Sequence, residues 1–281
     1  MALNKNVVGK EYPPQEYKIT AEETKKYAFG YNEDNQIFTD ESREGGIIAP
    51  PMFGVKYAGP AIAQAFFDPE LNADFARLVH GEQDMYFLSP VRPGDTITSV
   101  GKIIAVEEKS TGEIFVIETK SKNQSNEPVL RTLATFFIRG PKSGSSKKKE
   151  PEEPPEREYL FTQSMHVKEN QTYIYAEGSG DHNPIHVNPE FAKSVGLPGI
   201  ILQGLCTMAF CFKAIQDEYC NGDPTRIKRL KVRFAKPVLP LDTVITRGWL
   251  EEKRQGLSIL GIEAVNQKGD IVIKNGLAEV L

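Results

Sequence analysis

Two stretches of this chain are copies of one another, and any fold proposed for it must accommodate both. Phe87-Leu-Ser-Pro-Val-Arg-Pro-Gly-Asp95-Thr96 matches Phe234-Ala-Lys-Pro-Val-Leu-Pro-Leu-Asp242-Thr243, each shared residue lying 147 positions from its twin, and the same spacing joins Gly101 to Gly248. Beyond each copy come β-branched apolar segments divided by polar turns: 114–119 and 129–138, then 257–264 and 271–281. Such runs predict antiparallel strands. Asn123-Gln124 precedes the final strand of the first set and Asn266-Gln267 that of the second, 143 positions apart, so the repeat survives a small deletion in a connecting hairpin. The chain reads as one fold present twice.

Between the copies, residues 141–156 are rich in Pro, Lys, Glu and Ser and hold no apolar residue able to anchor them. This is the composition of a linker or a long exposed loop. It divides the 281 residues into an N-terminal unit, 1–140, and a C-terminal unit, 157–281. Each unit has a helical portion before its strands. Thr20-Ala-Glu-Glu23 has the pattern of a capping box opening a helix through Tyr27, and Phe53–Phe67 is rich in alanine and large apolar residues. Lys168–Glu177 and Leu205–Tyr219 take the corresponding places in the second unit. The last of these is apolar on most faces, so other structure must wrap it; a curled antiparallel sheet would do so.

A net charge of -4 gives no general basic field for nucleic acid. The start of the chain lacks the apolar run of a signal peptide, and no stretch approaches a membrane span, so a cytoplasmic protein without membrane or nucleic-acid partners is expected. Cys206, Cys211 and Cys220 lack CxxC spacing and read as buried small residues rather than zinc ligands, and no metal is expected.

Chemistry concentrates between the two helical stretches of the second unit. Gly180-Asp181-His182-Asn183-Pro184-Ile185-His186 places a carboxylate and an imidazole on one loop that proline stiffens and asparagine braces. An ordinary turn with a half-buried histidine would look the same in isolation. The downstream run Gly196-Leu-Pro-Gly-Ile-Ile-Leu-Gln203-Gly204 feeds into the buried helix, where free backbone N–H groups suit a developing oxyanion. Base, acid and oxyanion donors then occur together. The pair can hold one water, the carboxylate taking its proton while the imidazole positions it or delivers a proton to the neighbouring carbon.

The run from Asp181 to Leu205 resembles the hydratase 2 motif of MaoC-like enoyl-CoA hydratases, in its eukaryotic peroxisomal branch. The resemblance spans the chain, since that branch also consists of two hotdog units, the second catalytic and the first widened for the acyl chain. It implies an α+β double hotdog, two antiparallel sheets each wrapped around a long helix and arranged as a pseudo-dimer. It implies reversible syn addition of water to a trans-2-enoyl thioester, giving the (3R)-3-hydroxyacyl thioester with no cofactor beyond the coenzyme A of the substrate. Asp181 and His186 would activate water, Asn183 fix their loop, and Gly204 supply an N–H to the thioester oxygen. Gln203 stands where the family has histidine, a place where an amide can serve in a supporting hydrogen bond near substrate.

Aligned on the shared asparagine, Glu33 and Phe38 occupy the places of Asp181 and His186, and Met52 falls opposite Gly204. The first unit is therefore expected to be non-catalytic, with Glu33 a solvated loop carboxylate. Ala58, Gly59, Ala61 and Ala63 either leave room for an acyl chain or pack tightly. Arg226, Lys228, Arg229, Lys231, Arg233 and Lys236 alternate with apolar residues as a strand would. They are either a solvated face or, with Arg229, Arg233 and Lys236 foremost, a contact for the phosphates of coenzyme A or for the phosphopantetheine of an acyl carrier protein. Dehydration of a carrier-bound 3-hydroxyacyl group and a non-catalytic thioester-binding subunit remain as other functions. Pairing within one chain removes the need for a homodimer without forbidding one.

Overall fold

The computed structural model describes residues 2–140 and 157–281; the expected linker over 141–156 lies outside them. The N-terminal unit contributes strands β1 (Gln15–Lys18), β2 (Leu78–Phe87), β3 (Thr96–Lys109), β4 (Gly112–Lys122) and β5 (Pro128–Arg139). The C-terminal unit repeats them as β6 (Phe161–His166), β7 (Ile227–Phe234), β8 (Thr243–Arg254), β9 (Leu257–Asn266) and β10 (Ile271–Val280). The helices are α1 (Ala21–Gly30), α2 (Gln36–Thr39), α3 (Gly54–Tyr57) and α4 (Gly59–Phe66), then α5 (Gln171–Ser179), α6 (Pro184–Val187), α7 (Pro189–Ser194) and α8 (Gly204–Glu218).

All ten strands form one antiparallel sheet in the order β1-β3-β4-β5-β2-β7-β10-β9-β8-β6, which reads alike from either end. The two expected sheets are thus joined edge to edge, through β2 and β7, with Glu82–Tyr86 paired to Arg233–Arg229. This is the double hotdog, closed as a pseudo-dimer within one chain. Joining the edges satisfies two rows of backbone groups that would otherwise stand open.

The repeated decapeptides have a structural explanation. Asp95 accepts from the Arg92 N–H at 2.8 Å and from Gln124 at 2.9 Å, while Gln124 accepts from the Thr96 N–H at 3.0 Å. Asp242, Leu239, Gln267 and Thr243 repeat this bracket, with distances of 2.7 to 2.8 Å. The pseudo-two-fold axis passes between α1 and α5, where the hydroxyls of the twinned residues Tyr27 and Tyr175 meet at 3.1 Å. Gly178 permits this approach, since a Cβ there would stand 2.9 Å from the Lys26 carbonyl.

Helix α8 is unbroken and wrapped by the sheet; Cys206–Phe212 are buried, and Cys206, Cys211 and Cys220 are enclosed free thiols whose burial pushes them up. Its twin differs from expectation. The helix expected over Phe53–Phe67 is split at Ala58 into α3 and α4. Pro60 explains the break, because it lacks the N–H that would bond four residues back and its ring crowds that carbonyl. The capping box at Thr20 forms as the spacing predicts, its hydroxyl accepting from the Glu23 N–H at 3.3 Å. Among the described residues no helix is long and apolar enough to cross a membrane.

Candidate active site

Helix α5 ends at Gly180, whose left-handed backbone (φ 82°) turns the chain toward Asp181. The Asp181 carboxylate accepts from the Asn183 N–H at 3.2 Å, and the Asn183 side chain in turn accepts from the Ile185 N–H at 3.3 Å, capping α6. Pro184 suits the first helical position, where its missing N–H costs nothing. His186 is thereby presented on the last turn of α6 and is buried.

Two bonds tie this turn to the approach to α8. The Ile201 N–H donates to the Ile185 carbonyl at 3.2 Å, and His186 Nδ1 donates to the Ile201 carbonyl at 2.7 Å. With Nδ1 so engaged, Nε2 faces Asp181 Oδ2 at 3.8 Å. That span is too long for a direct hydrogen bond and suits a water held by both groups.

Gly204 opens α8, and among the described residues no acceptor is found for its N–H. A Cβ at this glycine would meet the Phe234 ring at 3.1 Å, so the residue lets the start of the helix lie flat against that ring. Gln203, expected near substrate and in a supporting hydrogen bond, makes such bonds to backbone. It is fully buried, and its amide donates to the carbonyls of Thr172 at 2.9 Å and Asp181 at 3.3 Å. Both acceptors are carbonyl oxygens, which fixes the amide orientation. Gln203 holds the backbone that carries Asp181, while its Oε1 has no partner among the described residues.

The profile of the MaoC like domain matches residues 150–268, and that of the FAS1-like dehydratase domain region matches 6–132. The peroxisomal enoyl-CoA hydratase 2 of Arabidopsis thaliana is 30% identical over 237 residues, spanning 79% of this chain and 75% of the relative. The chain belongs to the MaoC-like hydratase 2 family. A probable enoyl-CoA hydratase 2 of Dictyostelium discoideum is 29% identical over 98% of this chain and 95% of its own length. The crystal structure of a MaoC-like dehydratase from Phytophthora capsici superposes with a TM-score of 0.81 at 29% identity, covering 98% of this chain and 96% of that one.

Against this family site, the N-terminal unit is an internal control. The Ile48 N–H donates to the Ile37 carbonyl and the Ala49 N–H to Val91, as Ile201 does to Ile185 and Leu202 to Val238. These bonds correct the expected alignment by one position: Pro51, rather than Met52, is the twin of Gly204. Both begin a helical turn, but proline has no N–H to offer. Glu33 is not solvated either. It is 1% exposed and accepts from the N–H groups of Asp34 and Asn35 and from Gln216 and Lys213 of α8. Burial disfavours the Lys213 charge, but Asp34, Glu33 and Asp217 around it raise it above the ordinary lysine range.

The basic strand divides by side chain. Arg229 is bidentate to Asp84 at 2.8 Å and bonded to Glu279 at 2.9 Å, which commits Nε and one N–H of each terminal nitrogen to the join between the units. Arg233 and Lys236 are exposed, in peripheral pairs with Glu82 and Asp270. Of the four small residues, Ala58 and Ala61 are fully buried by packing, whereas Gly59 borders open space.

Proposed function

We propose that the protein is an (R)-specific 2-enoyl-CoA hydratase, using Asp181 and His186 as its water-activating pair. The observation that carries this reading is the 3.8 Å gap between the two groups, beside a helix start with an uncommitted N–H. Asp181 takes a proton from the held water, whose oxygen bonds to C3 of the enoyl thioester. The displaced electron pair moves to the thioester oxygen, which the Gly204 N–H stabilises. C2 is then protonated from the same face by the pair, giving syn addition. Neither a metal nor a redox group enters this reading; coenzyme A comes with the substrate, and Arg233 and Lys236 are its proposed phosphate contacts. The acyl chain is proposed to leave the site along the open side of Gly59.

The test is loss of absorbance of crotonyl-CoA, with chiral analysis of the product. Asp181→Asn and His186→Ala should each lower kcat by about 10²- to 10⁴-fold. A near-normal rate in either variant, or an inactive wild type at every chain length, overturns the assignment. A 3-hydroxyacyl-thioester dehydratase of Mycobacterium tuberculosis, 28% identical over 99% of both chains, favours testing dehydration of carrier-protein thioesters alongside. We place the reaction in the cytoplasm. One chain carries a complete site, so a homodimer is compatible with this reading and not required by it.

A further inference from the structure

Strand β2 has a one-residue bulge beside the site. Its pairing with β5 runs Leu78↔Ile138 to His80↔Phe136, then resumes at Glu82↔Thr135, leaving Gly81 as the extra residue. Side chains alternate along a strand, so without the bulge His80 would share the outer face with Glu82 and Asp84. The bulge re-aims it to the inner face, a use of bulges common beside active sites. There its ring stacks on Phe136 at 4.9 Å and meets the edge of Phe234 at 5.1 Å. Phe234 is the ring that lies against Gly204. His80 Nε2 is sealed from solvent and has no hydrogen-bond partner among the described residues, which is a costly arrangement unless a ligand completes it.

The twin strand makes the same bulge. Pairing of β7 with β10 shifts between Arg229↔Glu279 and Ile227↔Val280, leaving Lys228 as the extra residue and turning Ile227 inward. Ile227 lines a small cleft of about 50 Å³ with Ile48, Ala49, Pro51, Phe87 and Val91, the twins of Ile201, Leu202, Gly204, Phe234 and Val238. That cleft occupies, in the N-terminal unit, the place that the Asp181–His186 site has in the C-terminal unit, and Ile227 is part of its wall. The equivalent position beside Gly204 is His80. A polar group therefore occurs at this position only beside Asp181, His186 and Gly204, although the strand that carries it belongs to the other unit.

We propose that His80, carried into the site by the otherwise non-catalytic N-terminal unit, hydrogen-bonds the reacting end of the bound acyl thioester through Nε2. The proposal rests on the hydratase reading for the identity of the ligand. Burial lowers the His80 pKa to about 4, against smaller opposing effects of Gln83, the Glu82 backbone and the Asp181 charge. His80 is thus neutral in the working range and acts by binding and orientation, in contrast to a proton-delivering imidazolium.

The test uses His80→Phe, which keeps the ring, and His80→Gln, which keeps a hydrogen-bonding group, in the full-length protein. Crotonyl-CoA hydration is followed in both, with crotonyl-CoA affinity measured in the Asp181→Asn background and ¹⁵N-histidine spectra recorded on that same protein. Expected are a 10- to 100-fold fall in kcat/KM for His80→Phe, a matching loss of affinity, partial recovery in His80→Gln, and a shift of the His80 Nε2 resonance on adding crotonyl-CoA. Wild-type kinetics and affinity in His80→Phe, or an unmoved Nε2 resonance, overturn the proposal while leaving the hydratase assignment intact. If the wild type hydrates nothing, yet the Asp181→Asn protein binds crotonyl-CoA with a shifted Nε2 signal, the hydratase reading fails and His80 stands. Where His80→Phe does not fold, the resonance decides.

Discussion

Gln203 donates to the carbonyls of Thr172 and Asp181 from a fully buried position, so removing its amide frees the backbone that carries the Asp181 carboxylate. Gln203→Leu should lower kcat about tenfold with little change in KM, and cost about 1–3 kcal/mol in denaturant unfolding by removing buried hydrogen bonds to the backbone. A raised KM with unchanged kcat would restore the contact with substrate expected from sequence. His80 adds a pH signature. Its pKa is about 4 in the fold against 6.5 when exposed, so the neutral form is favoured by folding. The stability it supports is complete above pH 6.5 and is lost as pH falls from 6.5 toward 4. Each unit of depression is worth about 1.4 kcal/mol before solvent screening reduces it. Thermal melting of His80→Phe should therefore lose less stability than the wild type between those pH values.

Among the elements, α8 and its broken twin show most clearly what the sequence could and could not tell. The apolar faces of Leu205–Tyr219 predict a wrapped helix, and the sheet wraps it. Phe53–Phe67 has similar composition, yet Pro60 divides it, and weighing that one residue would have predicted the break. Gly59 borders open space just after the break. Gly59→Phe should spare crotonyl-CoA while lowering kcat/KM for long-chain enoyl-CoAs by at least tenfold. A chain-length series checks this, and uniform loss at every length would remove Gly59 from the acyl path. The Asp181–Asn183–His186 turn was legible because its bonds are local. Gln203, Glu33 and His80 were not, because their settings depend on partners far away in sequence or, for His80, on a bulge that changes which face a residue occupies.

Across the whole molecule, the two units are held by a continuous sheet and by charges laid over its seam. Arg229 of β7 is clamped by Asp84 of β2 and Glu279 of β10. Arg229→Met would leave both carboxylates half-buried without their cation, and unfolding should register a loss of about 3–5 kcal/mol with KM for crotonyl-CoA nearly unchanged. A large rise in KM at retained stability would instead return Arg229 to the phosphate contacts. The same view explains why the duplicated turn motif said so much about architecture and nothing about chemistry: the Asp95 and Asp242 brackets are intact in both units, although only the C-terminal unit has an Asp–His pair on its loop.

The buried Glu33–Lys213 pair limits what substitution in the N-terminal unit can achieve. With Lys213 of α8 closed on that carboxylate, replacing Phe38 with histidine would not create a water site there, because the acid would stay bound to its cation and Pro51 would still offer no N–H. Several simultaneous changes would be needed to build one. The pair thus withdraws the loop carboxylate of one unit from water and spends it on holding the helix of the other.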